Sequence, residues 1–308
     1  MPEKNRAVPV LVVAVLAISW AAPLIRLASA PPLVIAAWRL TITSIILAPF
    51  FVAGGARAEW AGRPRRDLLI AMASGVALAL HFATWMLSVR LTTVAASGVL
   101  VALSPVFAWV LSVTLLDDRP SRRQALGITV AMLGAAVIAA ADARGGSRNA
   151  ILGDLLALVG AVCSAVYYVI GRKLRSGLSL IAYIFPVYSL CALILLMTVS
   201  VSGANLSGWP RTDWLVFALL AVGPMLLGHT GFNYALKFLP AYVIGVVALA
   251  EPIGATLIAW ILPAIHEPPP VSTVTGGILC LAGVGLTLAG TGAGRSGPLA
   301  LSADALDD

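Results

Sequence analysis

Ten apolar runs, each about twenty residues long and parted only by short polar breaks, restrict this chain more than any other feature. A run of that length, coiled as an α-helix, matches the hydrocarbon core of a bilayer. The runs are 8–28, 32–53, 68–89, 93–115, 122–141, 151–171, 178–201, 213–236, 240–262 and 271–291, here called spans 1 to 10. The breaks carry groups that are costly in hydrocarbon: Pro31-Pro32, Arg63 to Asp67, Asp117 to Arg123, Arg144 to Asn149 and Pro268 to Pro270. The shortest, Arg90 to Thr93 and Lys237 to Pro240, predict tight helical hairpins. No break is long enough for a soluble domain. The end of the chain, 292–308, is polar and rich in Gly and Ser, which predicts a disordered tail.

Composition agrees with lipid as the main solvent. Hydrophobic residues make up 60% and charged residues 11%, against about 25% charged in soluble domains. The net charge of +7 does not point to nucleic acid, because the basic residues sit in short clusters between apolar runs. Cys163, Cys191 and Cys280 each lie inside an apolar run without a CxxC partner or a metal-ligand set, and read as small buried hydrophobes. Span 1 follows Lys4 and Arg6 and is long enough to cross a membrane, so it reads as a retained first helix and not a cleaved signal.

The basic residues orient the chain. With the N-terminus in the cytoplasm, that side holds Lys4, Arg6, Arg57, Arg63, Arg65, Arg66, Arg119, Arg122, Arg123, Arg172, Lys173, Arg175, Lys237 and Arg295. The other side holds Arg26, Arg90, Arg144, Arg148 and Arg211, and Arg39 lies within span 2. This bias fits ten spans with both termini cytoplasmic. The gain or loss of one span would destroy it.

The two halves repeat. Arg90, Gly98 and Pro105 precede Lys237, Gly245 and Pro252 by 147 residues. Gly127, Gly134 and Asp118 precede Gly276, Gly283 and Glu267 by 149. The fold class expected is therefore an all-α integral membrane protein of ten transmembrane helices arranged as two five-helix repeats, 8–141 and 151–291. An odd number of spans per repeat turns the second half over relative to the first. Such inverted repeats place a site near mid-membrane between the halves.

The runs SPVFAWVLSVTLLDD (104–118) and GITVAMLG (127–134) resemble the EamA-type repeat of the drug/metabolite transporter superfamily. So do AEPIGATLIAWILPAIHE (250–267) and GGILCLAGVG (276–285) in the second half. GDLLALVGAVCSAVYYVIGRKL (153–174) is similar to the opening of that family's second repeat, and Arg39 in AAWRL (36–40) matches an arginine often found in its second helix. Asp118 stands where the repeat usually ends in Glu. The resemblance covers about residues 10–290. It implies export or exchange of small organic solutes, driven by a proton gradient or a counter-substrate, across the inner membrane of a bacterium.

Ionisable groups within the spans are the first candidates for function, because each is costly in lipid. Glu251 sits just before Pro252, which leaves a carbonyl unpaired on the preceding turn. It reads either as a protonatable group facing a cavity or as a neutral acid bonded to a neighbouring helix. His81 and His229 lie in spans 3 and 8, the matching spans of the two halves; each is a cavity residue or a satisfied polar residue. Trp85 shares a face with His81, and Asn233 shares one with His229. Trp20, Trp109, Tyr167 and its neighbour Tyr168 are deep aromatics that stack on a substrate or simply pack. Arg39 either snorkels outward or pairs with an acid, for which Asp154 at the start of span 6 is the candidate. Pro105 and Pro252 are candidate hinges. The glycines of spans 5 and 10 suit close helix packing and read as scaffold.

These residues form a candidate substrate-binding set of Trp20, His81, Trp85, Trp109, Tyr167, His229, Asn233 and Glu251, with no metal or cofactor. The partners expected are membrane lipid and a small-molecule substrate. An intramembrane enzyme would need paired aspartates, HExxH or a Ser-His pair, and HExxH does not occur. A channel would need a polar ring or a carbonyl filter. Amino acids, drugs, sugar phosphates and nucleotide sugars are the substrate alternatives. A phosphate would call for several basic residues within spans, and Arg39 alone is there, which favours a neutral or zwitterionic metabolite.

Overall fold

Apolar runs in lipid coil because an α-helix satisfies each N–H and C=O within its own segment. The structure, a computed structural model, describes residues 3–91, 97, 100–142, 150–266, 268–269 and 271–290. Among the described residues the helical elements form ten spans, and no strand occurs. Span 1 is Glu3–Ile18 continued by Ala21–Leu27, span 2 is Pro32–Ala53 and span 3 is Arg65–Leu91. The described helix of span 4 is Ser104–Leu116, and span 5 is Arg122–Asp142. Spans 6 and 7 are Ala150–Arg175 and Leu180–Val201. Span 8 joins Arg211–Leu220, a π-helical stretch Ala221–His229, and Thr230–Ala235. Span 9 is Ala241–Ala248 followed by Glu251–Ile261, and span 10 is Val271–Gly290. Among the described residues, seven helices are long and apolar enough to cross a membrane, and Ser104–Leu116 and Val274–Gly290 are shorter apolar helices. The chain is a multi-pass membrane protein. The tail 292–308, read above as disordered, lies outside the described residues, as do Gly98, Arg144, Arg148, Glu267 and Arg295.

Local chemistry sets the ends and breaks. Ser121 and Gln124 form a capping box at the start of span 5: the Gln124 amide donates to Ser121 Oγ (3.3 Å), and the Ser121 amide donates to Gln124 Oε1 (2.8 Å). Each break lies a few residues before a proline. Pro23, Pro105 and Pro252 lack the N–H that would reach the fourth residue before them. Span 1 is interrupted at Ser19–Trp20, span 4 at Ala102–Leu103 and span 9 at Leu249–Ala250. Span 8 absorbs Pro224 by widening into the π-helical stretch.

The spans pack in a set of pairs: 2 with 7, 4 with 9, 5 with 10, 3 with 6, and 1 with 8. Exchanging every span for the one five places away leaves this set unchanged. Spans 4 and 9 cross where Gly245 meets Pro105; a Cβ on Gly245 would lie 3.2 Å from Pro105 Cα. Spans 5 and 10 meet backbone to backbone along Gly127, Gly134, Gly276 and Gly283.

Both faces carry ties between the halves. On the face that holds the N-terminus, Arg172 of span 6 reaches Asp118 of the first half (Nε to Oδ2, 3.2 Å) and, within its own half, donates to the carbonyls of Leu236 (3.0 Å) and Lys237 (2.9 Å). The Ser179 amide there donates to Glu59 Oε2 at 2.7 Å. On the opposite face, the buried Asp213 carboxylate accepts from the Ser29 hydroxyl and the Ala30 amide, each at 2.8 Å.

Candidate functional site

Phe82 of span 3 organises the charged and aromatic groups of the interior. The Arg39 guanidinium lies over its ring, 4.1 Å from the centroid. The His81 ring is 5.2 Å away and the His229 ring meets Phe82 edge-on at 5.9 Å. Span 3 thus places His81 and Phe82 between span 2, which carries Arg39, and span 8, which carries His229. The π-helical stretch ends at His229 and so sets the face on which it emerges.

His81 is anchored: its Nδ1 lies 2.9 Å from the Gly160 carbonyl of span 6, and its ring stacks parallel to Trp85 at 6.5 Å. His229 is 8% exposed and its Nδ1 has no hydrogen-bond partner. Arg39 is 3% exposed, and its Nε and Nη2 also lack partners. Arg39 is within electrostatic reach of Cys191 and Tyr188 of span 7 and of Glu251 of span 9. No ion pair includes Arg39 among the described residues. Glu251 is half-buried at the first position of the helix Glu251–Ile261 and is also within electrostatic reach of Tyr168 of span 6. Tyr168 in turn meets Phe232 edge-on at 6.5 Å.

Arg39 does not pair with Asp154. Span 6 packs against span 3, across the bundle from span 2, so the two side chains are held apart; Asp154 Oδ1 is buried without a hydrogen-bond partner. Phe82 takes the place expected for Asp154.

Tyr167 and Asn233 join a separate polar cluster, one turn nearer the N-terminal face. Asn233 Nδ2 contacts the Tyr167 hydroxyl, the Tyr188 hydroxyl (3.2 Å) and the His229 carbonyl (2.7 Å). Tyr188 also approaches Thr230 Oγ1 at 3.4 Å, and Tyr183 is bonded to Ser74 Oγ at 2.6 Å. Tyr167, Tyr183, Tyr188 and Asn233 are fully or almost fully buried. Trp20 stands at the break of span 1 and is 43% exposed. Beside it Ser19 abuts Gly254, so closely that a Cβ there would overlap Ser19 Oγ. Trp109 lies in the helix after Pro105 and is partly buried against the core. Pro105 and Pro252 each follow a helix break by two or three residues. The ring contacts around Phe82 include Trp85 through His81 but neither Trp20 nor Trp109.

Sequence reasoning missed Phe82, Tyr188 and Arg172, whereas Cys191 is the small buried residue expected. Phe82 is adjacent to His81, but an apolar ring in an apolar helix carries no mark of its role. Arg172 could have been found as a basic residue facing the acid at 118. Among the described residues no three His, Cys, Asp or Glu side chains converge into a metal-ligand set. The site combines a buried cation, an unpaired carboxylate within its field, and aromatic walls. That chemistry suits reversible binding of a small amphipathic solute.

A family model described as the EamA-like transporter family matches residues 6–140 and again 151–289. A protein of Bacillus subtilis (strain 168) named an uncharacterized transporter is 25% identical over 212 residues, 68% of each chain. A probable terminal-alkyne amino-acid exporter of Streptantibioticus cattleyicolor is 28% identical over 251 residues, 80% of each chain. One solved structure, known only as the crystal structure of a protein, superposes with a TM-score of 0.76 at 20% identity, over 92% of this chain and 96% of its own; it shares the fold.

Proposed function

The chain belongs to the EamA-like transporter family, and from that premise we propose that it is a secondary active transporter, not an enzyme, that exports or exchanges amino acids or related zwitterionic solutes. It works in the cytoplasmic membrane of a bacterium, with both termini in the cytoplasm. The repeats 8–141 and 151–291 are inverted relative to each other, a reading supported by helix pairs that survive exchange of each span for the one five places on. Alternating access follows from rocking of one repeat on the other about the site between them.

One observation carries the reading: Arg39 and Glu251 share an electrostatic field in the interior yet form no ion pair. A purely structural pair of charges in lipid would close into contact, because separation in a low dielectric is costly. An unclosed pair leaves room for a charged ligand. We assign His81, Trp85, His229 and Glu251 to contact with that ligand, with Tyr167 and Asn233 behind them. Glu251 couples the cycle by binding either a proton or the ammonium of a substrate, never both. The amino-acid class gains support from the name of the Streptantibioticus relative.

The experiment is transport in proteoliposomes with and without an imposed pH gradient, for wild type and Glu251→Gln. The glutamine keeps the shape but cannot release a proton. The gradient stimulates the wild type and leaves Glu251→Gln unchanged. Equal stimulation of both proteins removes Glu251 from coupling. No stimulation of either makes the protein an exchanger or a facilitator.

A further inference from the structure

Burying a guanidinium without partners for its N–H groups is costly, and proteins seldom leave such a group unsatisfied. Phe82 offsets part of that cost, but it meets the flat face of the guanidinium, whereas the N–H bonds lie in its plane. The two unpartnered atoms, Nε and Nη2, are neighbours on one edge. That edge is the fork that binds a carboxylate with two parallel hydrogen bonds. The other buried orphan of the cluster, His229 Nδ1, belongs to a ring packed against the same Phe82 and within the electrostatic field of Arg39. Glu251, the one carboxylate in the field of Arg39 among the described residues, forms no ion pair with it.

We propose that the Nε–Nη2 edge of Arg39 and the His229 ring form a carboxylate subsite, and that Glu251 holds the ammonium of the same zwitterionic ligand. This rests on the transporter reading above. The ligand completes an alternating series of charges: guanidinium, carboxylate, ammonium, carboxylate. Each buried charge then has an opposite neighbour, and the low dielectric that penalises the empty site strengthens the filled one. Phe82, Trp85 and Phe232 supply apolar surface nearby, which fits an amino acid with an apolar side chain.

The test is ligand protection against thermal unfolding of the full chain in lipid nanodiscs. The probes are L-leucine and L-phenylalanine, their amides, and the matching acids without the amino group. The amides keep the ammonium and lose the carboxylate; the deaminated acids do the reverse. In the wild type at least one amino acid protects, and its amide and its deaminated acid each bind at least about tenfold more weakly, as loss of a charged hydrogen-bonding partner requires. This comparison needs no variant, so a poorly folding Arg39 mutant does not block it. In Arg39→Gln the amino acid falls to the affinity of its amide. In Arg39→Lys, which keeps the charge but not the fork, the preference for the acid over the amide shrinks without vanishing. An amide that binds as tightly as its amino acid overturns the subsite, as does an Arg39→Gln protein that keeps the preference. If no probe protects the wild type while other solutes are still carried down a pH gradient, the subsite falls and the transporter reading stands. If no solute is carried under any gradient, both fall.

Discussion

Spans 5 and 10 approach so closely that a single methyl group should part them. A Cβ on Gly283 would lie 2.3 Å from the Ala131 amide nitrogen and 2.6 Å from the Gly127 carbonyl oxygen, where ordinary contacts begin at 3.4 Å. Both obstructions are backbone, so no side-chain rotation relieves them. The helices must separate by about 1 Å, which forfeits a quarter to a half of the dispersion energy along the seam. Overpacking of this kind costs about 1–3 kcal/mol. The better helix propensity of alanine returns about 0.5–1 kcal/mol. Gly283→Ala should therefore destabilise the protein by up to about 2.5 kcal/mol, with a mid-range value of about 1.3 kcal/mol. Gly285, two residues away in the same helix, has nothing within 4 Å of its Cβ position. Gly285→Ala should gain only the propensity term. Thermal unfolding of the two variants beside wild type, in one detergent, separates them: Gly283→Ala unfolds at lower temperature and Gly285→Ala at the same or higher temperature. Transport per folded molecule stays normal in both, because this seam lies away from the Arg39–Phe82–Glu251 cluster. A Gly283→Ala protein as stable as wild type, or equal shifts for the two variants, would refute the packing argument.

Two further outcomes follow from the ties between the halves and from the basic bias. Arg172→Gln removes the contacts to Asp118, Leu236 and Lys237. These charged hydrogen bonds are worth about 1.5–3 kcal/mol, so the N-terminal face should open more often: a cysteine at the buried Ser74 should react with a thiol reagent from that face at least about tenfold faster. Unchanged labelling would show that the seal lies elsewhere. A cysteine at the exposed Ser207 should react with an impermeant reagent added outside intact cells; reaction only from the cytoplasmic side would reverse the orientation.

The sequence by itself was enough for the class of fold. Apolar length is a local property, and the penalty for charge in lipid is paid residue by residue, so ten spans, their breaks and the steady offset between Pro105 and Pro252 could be read without knowing any contact. The same penalty singled out Arg39, Glu251, His81 and His229, because a polar group inside such a run stands out wherever it points. The partners of those groups depended on tertiary structure. These helices are apolar nearly all round, so their patterning does not say which face meets which neighbour. Only the assembled bundle put Arg39 over Phe82 and within electrostatic reach of Glu251, with no ion pair to Asp154. Likewise only the assembled bundle joined Tyr167 and Asn233 into a hydrogen-bonded cluster with Tyr188, although sequence spacing alone puts Asn233 on the same face as His229. Lipid solvation is set by composition along one helix, whereas a binding site needs side chains from several helices to converge, and that convergence is decided by packing between segments far apart in the chain.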